Sequence, residues 1–196
     1  ANNLIEKIEN ETFIYLKSLT SLSLNTNQIE FIDKDAFSGL DSLRVLSINF
    51  NKIKKIETWI FKRLIKLKSL ELDTNQVQLI EKNSMPETGN SLEILILNKN
   101  KLKFIKEYYF NDMKQLRDLF LSNNQISSIE HFSFRNLINL QRIFLNDNCI
   151  FKIDSRYFFN LPNILVLDLS FNLIVNLKAS DFVNFRNSRL TWLNLG

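Results

Sequence analysis

Apolar and polar positions along this chain repeat in blocks. From Leu19 the string LTSLSLNTNQIEFIDKDAFSGLDS gives way at Leu43 to LRVLSINFNKIKKIETWIFKRLIK. The pattern they share is LxxLxLxxNxIxxIxxxxFxxLxx. Later blocks begin at Leu67, Leu92, Leu116, Leu140, Ile164 and Leu190, so the spacings are 24, 24, 25, 24, 24, 24 and 26 residues. A partial block enters at Asn3, and the last block stops at Gly196. A fixed period of this length marks a solenoid built of stacked supersecondary units. Residues 1–196 therefore read as a single repeat domain of about eight units.

Each column of the repeat has a physical task. LxxLxLxx predicts a short parallel strand with its leucines on one face. One such strand cannot bury that face alone, so adjacent coils stack and share a continuous core. The ninth position is Asn3, Asn27, Asn51, Asn75, Asn100, Asn124, Asn148 and Asn172. An amide carries donors and an acceptor, so a stacked column of Asn can satisfy the turning backbone coil after coil. The nineteenth position is Phe13, Phe37, Phe61, Met85, Phe110, Phe134, Phe158 and Phe182, rings expected to fill the space between the strands and the opposite wall. Two units break the rule. The one from Leu67 runs through KNSMPETGNS, where Pro86 and Gly89 predict an altered turn on the convex wall. The one from Ile164 ends VNFRNSRL, with two extra residues.

Composition narrows the function classes. The chain is 45% apolar and 23% charged, with 3 Gly, 2 Pro, 1 His and 1 Cys. The glycines are too dispersed for a phosphate-binding loop, and one Cys with one His builds neither a zinc site nor a disulfide framework. No cofactor and no metal are expected. His131 and Cys149 fall in different sectors of the coil, on the convex surface and in a semi-buried place respectively, which argues against a nucleophile pair and against an enzyme. No stretch approaches 18 uninterrupted apolar residues, so no membrane insertion by this segment is expected. The net charge of +4, from 25 basic and 21 acidic residues, argues against nucleic acid as the main partner.

The 24-residue unit with Asn at nine and Phe at nineteen resembles the typical class of leucine-rich repeat. The resemblance implies an α/β repeat fold, a leucine-rich-repeat solenoid or horseshoe with a parallel concave β-sheet and an irregular, short-helical convex side. The class is similar to ectodomains of Toll and Toll-like receptors, to chaoptin-like adhesion proteins, to Slit and to the variable lymphocyte receptors of jawless fish. It implies an extracellular or cell-surface location and a protein ligand or receptor partner, or a microbial or glycan ligand. It also implies a homodimer of the full-length protein, assembled by parts outside this segment. Adhesion between membranes and, third, a cytosolic interaction scaffold are the alternatives. Extracellular members usually carry cysteine-rich caps. Their absence, with a start inside one unit and an end partway along a strand, leads us to expect a segment of a longer array.

The informative surface is the concave one, where strand positions between the framework leucines vary. Ile94, Ile96, Phe120 and Phe144 should form one apolar patch, since stacked strands lie about 4.8 Å apart. Arg117 and Arg142 flank it, with Asp118 and Asp147 nearby. Aromatics ringed by arginine and carboxylate make a candidate partner-binding hot spot. A second candidate is Leu165, Val166, Phe171 and Trp192. The lysines Lys52, Lys54, Lys55, Lys99, Lys101, Lys103 and Lys106 read as a solvated flank. Asn10 opens the single N-x-Ser/Thr triplet, Asn10-Glu11-Thr12, a candidate glycosylation site in a convex turn.

Overall fold

A computed structural model describes residues 3–85, 91–110 and 113–196 of the chain. The altered turn expected at Pro86 and Gly89 lies outside the described residues. The repeat closes into a solenoid whose spine is an eight-stranded, all-parallel sheet. Its strands are Ser21–Ser23, Val45–Ser47, Ser69–Glu71, Ile94–Ile96, Asp118–Phe120, Arg142–Phe144, Val166–Asp168 and Trp192–Asn194. Each pairs in register with the next, so equivalent positions of consecutive units stand side by side. Three residues per strand suffice because the middle one, such as Leu46, Leu70, Leu95 or Leu119, is fully buried and shares the core with its neighbours. Short parallel pairs, such as Lys7–Ile8 with Phe31–Ile32, tie coils together again further along the turn.

The asparagine column works as its chemistry requires. Asn124 Oδ1 accepts the Leu102 N–H at 3.1 Å, while its Nδ2 donates to Leu97 O at 2.9 Å and Leu121 O at 3.0 Å. One amide thereby serves its own coil and the preceding one. Asn51, Asn75, Asn100, Asn148 and Asn172 repeat the arrangement. The residue just before each Asn is left-handed whatever its type: Thr26, Phe50, Thr74, Lys99, Asn123, Asp147 and Phe171 all have φ between 50° and 56°. That conformation is uncommon for a bulky side chain. It aims the N–H at the next coil, as in Phe50 N to Asp73 O at 3.0 Å, and the sheet is extended by one bond per turn.

On the opposite wall the phenylalanines stack in two runs, Phe13–Phe37–Phe61 and Phe110–Phe134–Phe158, interrupted at Met85. The second run ends differently from the sequence expectation. Phe185, with its centroid 5.5 Å from that of Phe158, continues the column, and Phe182 is displaced to pack against Phe185. The two extra residues of that unit are taken up by a 3-10 helix, Ala179–Phe185, which advances the ring by one turn. A second 3-10 helix, Ser155–Phe158, is capped by Asp154, whose carboxylate accepts the Arg156 N–H. Elsewhere among the described residues the convex wall is made of turns.

Candidate functional site

Strand pairing sets the concave face. Ile96, Phe120, Phe144 and Asp168 lie side by side along one row of the sheet, and Ile94, Asp118, Arg142, Val166 and Trp192 along the row beside it. Both rows point away from the leucine core, because side chains alternate along a strand. Phe120 and Phe144 are half-buried and stack with ring centroids 4.9 Å apart and planes 6° from parallel. The spacing is that of neighbouring strands, so the sheet itself holds the rings face to face. The expected patch of Ile94, Ile96, Phe120 and Phe144 is thus brought together on one face.

Asp118 and Arg142 depart from the rim role expected of them. Asp118 is buried, with 8% of its side chain exposed, and binds Arg142 in a two-pronged pair through Nε and through Nη2 at 2.6 Å. Asp118 holds the Arg142 guanidinium above its ordinary pKa range. The pair is a fixture of the sheet surface. Arg117 remains exposed and stands 3.9 Å from Glu93, which also takes the Lys68 ammonium at 2.6 Å. Those cations hold the Glu93 carboxyl below its usual range, Lys68 foremost.

The second candidate divides. Val166 and Trp192 are register partners, with Leu165 next to Val166. Phe171 is not with them. It sits at the left-handed turn beyond the far end of strand Val166–Asp168, 72% exposed. Six residues of nearly extended chain separate it from Leu165, which puts them on opposite edges of the sheet.

Outside the concave face, Cys149 is exposed where a semi-buried thiol was expected, because the position after the ladder Asn turns outward. His131 lies on the convex surface, stacked on Tyr157 and 3.4 Å from Asp154. No group of acidic, His and Cys side chains among the described residues could hold a metal ion. Lys54 and Lys55 of the solvated flank are paired with Glu30 and Glu81 at 3.1 and 2.8 Å. Lys55 and the Thr58 N–H and hydroxyl bring the Glu81 carboxyl down to about 2. Asn10 is exposed and its Oδ1 accepts the Asp35 N–H at 3.1 Å.

One structural column escaped the sequence reading. The position two before the ladder Asn, treated as free to vary, carries Asn25, Asn49 and Asn98, whose Oδ1 atoms accept the backbone N–H of Asn49, Asp73 and Ser122 at 2.6, 2.7 and 2.8 Å. The signal was present as a run of short polar side chains at that position. These residues belong to the scaffold.

Comparison with known proteins agrees with this architecture. The chain matches the leucine rich repeat family over residues 1–53, 90–150 and 138–196, and it belongs to that family. Among solved structures it is similar to that of a TLR13–ssRNA13 complex, with 31% identity and a TM-score of 0.91. That match covers 98% of this chain and 28% of the other. It is also similar to the Toll–Spatzle complex of Drosophila, at 23% identity and a TM-score of 0.90, covering 97% of this chain and 25% of that one. An internalin from Listeria monocytogenes is similar at 24% identity and a TM-score of 0.69, covering 96% and 51%. At those identities the last two speak to the fold alone. The chain spans about a quarter of the receptor chains it matches. Among curated proteins no sequence match is found. The single-stranded RNA in the TLR13 complex corrects the expectation that excluded nucleic acid: net charge over a whole solenoid does not decide what one face binds. No helix among the described residues is long and apolar enough to cross a membrane. The chain is a leucine-rich-repeat recognition module, the class of protein its fold and sheet surface define.

Proposed function

We propose that this chain is the recognition segment of an extracellular or cell-surface receptor of Toll-like type, which binds a protein ligand through its concave face. The observation that carries the reading is the Phe120–Phe144 stack. Two aromatic rings lie half-exposed on a sheet surface that is otherwise mostly polar, next to an arginine pinned by a buried carboxylate. Aromatic and arginine anchors on a rigid support are what concentrate binding energy at an interface. The scaffold needs no reordering when a ligand arrives, because register, ladder and ring column already fix every coil, and little conformational entropy is lost on binding. The similarity to receptor structures over nearly the whole chain supports the receptor class.

The location is tested on the native, full-length protein. Asn10 lies in an exposed convex turn, well away from the concave sheet, so a glycan there leaves the binding face clear. A surface label on intact cells should modify the protein, and peptide mapping should find a glycosidase-sensitive mass on Asn10. A protein labelled only after lysis, with Asn10 unmodified, would contradict the extracellular receptor.

A further inference from the structure

Around the ring stack the charges at the two edges of the concave sheet are balanced differently. On the edge where the strands begin, Lys68, Arg117 and Arg142 are met from within by Glu93 and Asp118. On the edge where the strands end, Asp168 lies directly beside Phe144 on the next strand, and Asp147 follows Phe144 by three residues in its own coil. Their hydrogen bonds are local and neutral. Asp168 Oδ1 accepts the Ser170 N–H at 2.9 Å and its hydroxyl at 2.7 Å, and Asp147 Oδ2 accepts from Asn146 Nδ2 at 2.6 Å. Among the described residues, neither carboxylate has a basic side chain within ion-pair distance.

Ring geometry adds direction to this charge. Phe120 and Phe144 stack across paired strands, so their ring faces look along the solenoid from coil to coil. Ile96 occupies the position before Phe120. The position after Phe144, where a third ring would close the stack, holds the short side chain of Asp168. One face of Phe144 is therefore turned toward a carboxylate. Arg142 does not fill the gap, because Asp118 draws it toward the preceding coil. A guanidinium laid on that ring face gains a cation–π contact, and a carboxylate at its edge gains a charge-assisted hydrogen bond.

We infer that the partner of this face is a protein segment that places a basic side chain on Phe144 between Asp147 and Asp168, beside an apolar side chain seated on Phe120 and Ile96. Arginine suits the place best, since its flat head stacks on the ring while its N–H groups donate to a carboxylate at the ring's edge. The inference rests on the concave-face reading and gives that face its ligand chemistry: the uncompensated charge beside Phe144 is acidic, so the surface that meets it is basic.

The test is a displayed library of random peptides selected against the whole chain. Each selected clone is titrated against wild type, Asp168→Asn, Asp147→Asn and Phe120→Ser/Phe144→Ser. Asn at 168 keeps the Oδ1 acceptor for Ser170, and Asn suits the left-handed backbone at 147, so both acidic variants should fold. The inference expects clones rich in Arg or Lys next to an aliphatic or aromatic residue. It expects binding to fall roughly tenfold for either acidic variant and to weaken as salt rises. Clones that lose binding to the double Ser variant but bind Asp168→Asn and Asp147→Asn unchanged would overturn the basic partner and leave the concave reading standing. Clones indifferent to all the variants, or no clones at all, would overturn both. A single-stranded RNA that displaces the clones, and whose binding is lost with Arg117→Glu, would overturn the protein partner.

Discussion

Arg142 holds Asp118 through two parallel hydrogen bonds, and the two residues stand directly opposite each other on adjacent strands of the concave sheet. Elsewhere in that row Val45, Ile94 and Val166 are apolar, so the fold does not require charge there. Removing one member leaves the other without its partner, and the outcome depends on which is left. Arg142→Ala strands a carboxylate that is only 8% exposed, and half of the lost arginine was in solvent. About 1–2 kcal/mol of stability should be lost, between what an exposed pair contributes and what breaking a fully buried one costs. Asp118→Val should cost less, since Arg142 can turn to water. Denaturant midpoints of the two variants, measured against wild type, check the order.

The asparagine ladder predicts a larger and more uniform effect. Replacing Asn124 by Leu keeps the branched outline of the side chain but leaves the Leu102 N–H and the Leu97 and Leu121 carbonyls without their amide partner inside the protein. About 3 kcal/mol should be lost. Hydrogen exchange should quicken at Leu102 first, because its N–H is the donor set free.

Gly39 is held by space as much as by conformation. Its φ is +87°, and a Cβ there would lie 2.4 Å from the Ile14 carbonyl oxygen of the preceding coil. Gly39→Ala must shift backbone against backbone, and a loss of more than about 2 kcal/mol is expected. The thermal midpoint of this variant should fall while that of a control, Ser38→Ala, stays close to wild type.

Much of the fold was legible because its columns repeat. A leucine facing the core, an amide serving two coils and a ring filling the far wall each meet the same demand every 24 residues, so a change of residue at one unit stands out. What was not legible arose where units differ or where the demand falls on the backbone. Phe185 replaced Phe182 in the ring column because the length of the 3-10 turn, not the spacing of phenylalanines, decides which ring reaches Phe158. Phe171 parted from Leu165 because a strand has two ends, and proximity in sequence does not put both at the same edge. Asp118 looked like a rim carboxylate because the partner that holds it, Arg142, lies twenty-four residues later in the chain. Left-handed turns at Thr26 and Phe50 give no sequence signal at all, since the hydrogen bond to the next coil is made by the backbone whatever the residue.

Acid should loosen the convex wall at a definite place. Glu81 accepts from Lys55 and from the Thr58 N–H and hydroxyl, which joins two neighbouring coils, and its folded pKa of about 2 lies below the ordinary value near 4.5. A depressed carboxyl contributes stability above its unfolded pKa and loses it as pH falls through the folded one. The Tm difference between wild type and Glu81→Gln should therefore be present at pH 7, shrink below about pH 4.5 and vanish near pH 2. A difference that grows on acidification would carry the wrong sign.

The recognition surface itself is tested most directly by affinity. A partner recovered from the extracellular side with the wild-type chain is titrated against Phe120→Glu/Phe144→Glu, with the thermal midpoint of the variant recorded alongside. Both rings are half-exposed, so the variant should fold, and the account predicts at least a tenfold loss of affinity for it. Unchanged affinity in a folded double variant would contradict the assignment of the concave face.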